Sequence, residues 1–188
     1  MGIAYILQIT TIVITLLLGI ISHFQTKKIQ HGQNIISVTT KYRSERSQQL
    51  KESGETLLTN TSPELLKRSS DVCGMLKEAT RAVETIGMIL HRNFEADKEL
   101  IILSSDVLDA AISHTDTHSD ATLNRLLYLR ELFRLKCDMY AAAEWNRIKQ
   151  ETKGENTSSQ SWIDYYEKIE ASFANDLQAL KAKYKQDG

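Results

Sequence analysis

Four side chains in one short stretch, His114, Asp116, His118 and Asp120, are of the types that bind a divalent metal ion. His114 and His118 stand four residues apart, the spacing that brings two imidazoles to one face of a helix, with Asp116 placed to add a carboxylate. The other reading of the same stretch is a solvated turn in which Ser119 or Asp120 caps the helix that follows. Cys73 and Cys137 fall in apolar stripes without the paired spacing of a zinc site, so inert core thiols are expected. His91 falls at a helix end, where an imidazole offsets the helix dipole, and Trp145 and Trp162 are expected as packing anchors. The phosphate-binding loop, the dinucleotide-binding Gly fingerprint, the His-Glu-x-x-His zinc helix and the nucleophile elbow are absent from the sequence. The expectation is a protein that is not an enzyme and has no cofactor, with His114, His118 and Asp116 as its metal candidates.

Charge is the more informative chemistry. The chain has 23 basic and 24 acidic residues, a net charge of -1, which gives no global footprint for nucleic acid. Locally the balance is uneven. Lys27, Lys28, Lys41, Arg43, Arg46 and Lys51 face a single acid, Glu45, whereas Glu95, Asp97, Glu99, Asp106, Asp109, Asp116 and Asp120 face Lys98 alone. The cations Lys27, Lys28, Lys41, Arg43 and Arg46 suit anionic lipid headgroups, each contributing about 1 kcal/mol near the surface. Alternatively the acidic helix folds back on the basic one, within the chain or between copies.

The elements that position these groups are helical. One Pro and eight Gly in 188 residues leave too few turn residues for a sandwich or barrel, so the fold expected is all-α: one N-terminal transmembrane helix and a cytoplasmic bundle of four to five helices. From Ile3 to Ile21 no side chain is charged, and those 19 residues would make a helix roughly 28 Å long, matching a bilayer's hydrocarbon thickness. A cleaved signal peptide would need a basic residue ahead of the run and a small-x-small site after it, and the run ends in Ile20-Ile21-Ser22-His23. Basic residues follow the run at once, so the N-terminus is expected outside and the rest in the cytoplasm. Ala4, Gln8, Thr11, Thr15, Gly19 and Ser22 recur at steps of three and four and make one small, polar face, which suits helix association in lipid. The alternative is that the hydroxyls bond their own helix.

Residues 1–25 thus read as the anchor, 26–60 as a basic juxtamembrane helix weakened near Gly32 and Gly54, 61–153 as the bundle, and 154–188 as a linker and an amphipathic helix. Within the bundle one helix runs from Pro63, capped by Ser62, to about His91; a second from Lys98 to Ser113; and a third from Ser119 or Asp120 to Lys153, before Gly154. The last helix has the cleanest period, Trp162, Tyr166, Ile169, Phe173, Leu177, Leu180 and Tyr184. That narrow seam packs either on this chain's own bundle or on another helix.

Three stretches resemble an uncharacterised family of small bacterial single-span membrane proteins with a helical cytoplasmic part. They are Thr39-Thr-Lys-Tyr-Arg43 with Leu50-Lys51, where Arg46 takes the place of the motif's Trp; Ile86-Gly-Met-Ile-Leu90 through Asp97-Lys-Glu-Leu100, where His91-Arg92 replaces Asn-Pro; and Glu144-Trp-Asn-Arg-Ile-Lys149. The resemblance implies an anchored helical protein of the bacterial inner membrane with no established activity, substrate or cofactor, and phage defence is a role such small anchored proteins suggest. The function expected is interaction and assembly at the cytoplasmic face, as a homo-oligomer or with a partner protein. The alternative is an oligomeric, pore-type effector.

Overall fold

A computed structural model describes Ser22, Lys27 and residues 37–90, 94–153 and 159–185, which form α-helices joined by short turns and no strand. The chain divides into two units, Met1–Lys41 and Tyr42–Gly188. In the first, Ser22, Lys27 and residues 37–41 are helical. The expected span, Ile3 to Ile21, lies outside the described residues, and among those residues no helix is long and apolar enough to cross a membrane.

The second unit is an all-α bundle, as expected. It begins with α1, residues 42–60, which buries Leu50 and Leu57. Gly54 does not weaken this helix. The helix runs through it, and the glycine packs against the ring of Phe133, which a Cβ there would meet at 3.4 Å, about van der Waals contact. Arg130 closes the end of α1 by donating to the carbonyl of Leu58 and, at 2.8 Å, to the Thr61 hydroxyl.

The helix expected from Pro63 to His91 is two helices, α2 (Pro63–Arg68) and α3 (Val72–Ile89). Its apolar period runs on across the break, but Ser69-Ser70-Asp71 offers the backbone other partners. Asp71 accepts from the amide of Gly74 at 2.9 Å and caps α3, while the Ser69 hydroxyl takes the Asp71 amide at 3.0 Å. The break leaves Cys73 exposed, which corrects its expected place in the core.

Helix α4 (Glu95–Thr117) is longer than expected at both ends. The polar run is held in the helix by hydroxyls bonding back to carbonyls, Ser113 to Asp109, Thr115 to Ile112 and Thr117 to Ser113. It stops at His118, whose φ of 49° is left-handed. Glycine adopts that conformation without a Cβ penalty, so His118→Gly should raise stability by about 0.5 to 1 kcal/mol. A lower melting temperature for the variant would show that the imidazole makes a contact worth more than the backbone strain.

Ser119 caps α5 (Asp120–Thr152), accepting from the Thr122 amide at 3.2 Å. This 33-residue helix is the centre of the unit, with α4, α6 (Ser159–Ser172) and α7 (Ala174–Lys185) packed on it and α3 packed on α4. The single C-terminal helix expected is two, α6 (Ser159–Ser172) and α7 (Ala174–Lys185), joined at Phe173. The core between these helices includes Ile86, Leu100, Val107, Leu126, Phe133, Met139 and Tyr140.

Candidate functional site

Ionisable groups of α5 hold the elements packed on it. Lys136, three residues after Phe133, is buried and donates from Nζ to Glu99 of α4 at 2.9 Å and Glu170 of α6 at 2.7 Å. Burial pulls the Lys136 ammonium down, but its hydrogen bonds to these two carboxylates outweigh that and hold the group above its ordinary range. Glu131 accepts from Lys183 Nζ at 2.7 Å and the Tyr184 hydroxyl at 2.9 Å, which fixes α7.

The densest cluster lies where α1, α4 and α5 meet. Asp97, in the first turn of α4, is only 1 % exposed and accepts from Arg46 of α1 at 2.7 Å. The same guanidinium donates to the Tyr140 hydroxyl at 3.0 Å. One turn away Arg43 pairs with Glu151, and Arg147 approaches Glu151 at 3.6 Å and Glu144 at 3.9 Å. Burial pushes the Glu144 carboxyl up, against the attraction of Arg147, Arg43 and Arg46.

Beside Tyr140 an aromatic group closes the cluster. Trp162 of α6 stacks on Tyr166 at 5.5 Å between ring centres and meets Phe94 at 5.5 Å and Tyr140 at 5.7 Å. The Trp162 Nε1 and Tyr166 hydroxyl are buried with no hydrogen-bond partner among the described residues. Burial drives the Tyr140 and Tyr166 hydroxyls upward, so both stay neutral.

These contacts re-assign several residues read from the sequence. Arg43 and Arg46, read as headgroup cations, face carboxylates of the bundle, and for Arg46 the contact is the fold-back of the acidic helix on the basic one. Lys27 and Lys41 are exposed and helical, and Lys28 lies outside the described residues. Of the stripe Ala4, Gln8, Thr11, Thr15, Gly19 and Ser22, the last is described, helical and exposed, and the rest lie outside, as does His91.

The expected turn at His114 is helical, which sets the two imidazoles edge to face at 6.0 Å with His118 in the left-handed cap. His114 Nδ1 contacts the Thr122 hydroxyl at 3.3 Å, and Asp116 is exposed. Among the described residues no group of three or more His, Cys, Asp or Glu is disposed to hold a metal ion.

The C-terminal seam packs on this chain's own bundle. Trp162, Tyr166 and Leu180 are buried, Ile169, Phe173 and Leu177 half-buried against the core, and Tyr184 meets Tyr128 edge-on at 5.7 Å. Cys137 lies near Gly54 of α1, its thiol pushed up to about 12 by burial. Trp145 is exposed rather than a packing anchor.

The arrangement defines an all-α bundle whose elements are held to one central helix by part-buried ion pairs. No protein-family model matches the chain, nor does any curated protein or solved structure.

Glu144 offers a test of the cluster by pH. Its carboxyl titrates higher folded than unfolded, so the folded protein binds that proton more readily, and ionisation above the raised value costs stability. Glu144→Gln should therefore melt higher than the wild type at neutral pH. The advantage should shrink as pH falls through the raised value and vanish below the ordinary carboxylate range, where both states of the wild type are protonated. A variant less stable at neutral pH would show that the ionised carboxylate contributes net attraction to the three arginines.

Proposed function

We propose that the chain is a single-pass protein of a bacterial membrane, N-terminus outside and bundle in the cytoplasm, which acts by assembly at the cytoplasmic face rather than by catalysis. The observation that carries this reading is the uncharged run Ile3 to Ile21 followed directly by Lys27 and Lys28. The bundle supports it, because its buried ionisable groups are engaged in holding one helix to another. The partners proposed are the membrane and a second copy or another helical protein, and no nucleic acid.

Cys73 is a natural reporter of topology, being exposed on the bundle surface. In intact cells a membrane-impermeant maleimide should leave Cys73 unlabelled yet label Gly2→Cys, and lysis should expose Cys73. Labelling of Cys73 from outside would reverse the orientation, and a chain wholly in the soluble fraction would remove the anchor.

A second reading, an oligomeric pore with a role in phage defence, is favoured by the stripe Gln8, Thr11 and Thr15, whose polar groups would line a water-filled path. Ion leakage on expression that is lost in Gly19→Leu would support it. Intact membranes at high expression would exclude it.

A further inference from the structure

Toward its C-terminal half α5 carries an exposed row, Asp138, Ala141, Trp145 and Lys149, at steps of three, four and four. Trp145 is 57 % exposed, and Lys149 Nζ lies 5.2 Å from the centre of its ring. Ala141 and Ala142 flank it with almost no side chain. A tryptophan beside small residues, bracketed by one acid and one base, has the composition of a contact centre rather than of a solvated face.

We propose that this face docks a second copy of the chain, antiparallel, about a two-fold axis at the level between Ala143 and Glu144. The charge order selects that partner and that direction. Asp138 and Lys149 are roughly 16 Å apart along the helix. Reversing one copy about the midpoint sets each Asp138 opposite Lys149 of the second copy and each Trp145 opposite Ala142, so both halves are satisfied at once. A parallel pair would instead set Asp138 against Asp138. Farther from the axis Arg134 meets Lys153, like charges that favour crossed helices diverging beyond the central contact.

One helix face is smaller than the roughly 800 Å² per partner of a standard stable interface. The inference therefore rests on the membrane-anchored reading, in which a shared bilayer concentrates the copies.

The test uses the full chain in liposomes, labelled at native Cys73 with donor or acceptor maleimide. Cys137, with its thiol pushed up to about 12, stays unlabelled. Energy transfer in the wild type should exceed that of randomly placed chains. Asp138→Lys and Lys149→Asp each bring like charges together twice and should weaken association about 10-fold, while the double variant returns it to within about 3-fold of the wild type. Trp145→Ala should weaken it by about 10-fold. Strong transfer that the single variants leave unchanged, or that the double variant does not restore, overturns this contact and leaves assembly standing through another surface. Transfer at the random level in the wild type overturns both.

Discussion

Asp97→Ala should cost the bundle about 3 to 5 kcal/mol, because it strands a buried guanidinium without its anion. At about 2 to 4 °C per kcal/mol for a chain of this size, melting followed by circular dichroism should fall by about 10 °C. The reason is the asymmetry of buried pairs. Asp97 is almost wholly enclosed, and Arg46 donates to it at 2.7 Å while the same nitrogen reaches the Tyr140 hydroxyl at 3.0 Å. Asp97 also stands in the first turn of α4, where a carboxylate offsets the helix dipole, so its loss removes two favourable terms. Replacing the whole group by apolar residues, Arg46→Met, Asp97→Leu and Tyr140→Phe together, should recover most of the loss, since neither partner of the pair is then left behind without the other. A single variant as stable as the wild type would mean that the carboxylate is not enclosed against Arg46.

That cluster was only half legible in the sequence. The imbalance between the basic segment and the acidic helix pointed to fold-back, and Arg46 with Asp97 realises it within the chain. The specific partners were not legible, since Asp97 is one of seven acids in its stretch and only the packing of α1 on α4 and α5 selects it. Lys136 and Glu144 carried a signal that could have found them, because both fall on the core-facing stripe with Phe133 and Tyr140. Apolar period located most of the helices and the self-packing C-terminal seam. It did not locate the break at Ser69 to Asp71, where side-chain hydrogen bonds compete with the helix while the apolar spacing continues undisturbed.

Trp162→Ala should cost about 3 to 5 kcal/mol, the usual range for removing a fully packed aromatic side chain. The ring is 3 % exposed and touches three elements at once, Phe94 before α4, Tyr140 on α5 and Tyr166 on its own helix. Its removal opens a cavity that these large, rigid rings cannot collapse to fill, and α6 loses its main hold on the bundle. Proteolysis should then cleave within α6 and α7 before the rest unfolds, although Lys136 still holds Glu170 and Glu131 still holds Lys183. Tyr166→Phe separates packing from polarity. It keeps the stacked ring and deletes a buried hydroxyl without a partner, so it should leave stability unchanged or raise it. A clear loss in Tyr166→Phe would mean that the hydroxyl has an acceptor, such as a buried water shared with Trp162 Nε1. A small loss in Trp162→Ala would instead show that the ion pairs, rather than the aromatic group, carry the attachment of the C-terminal helices.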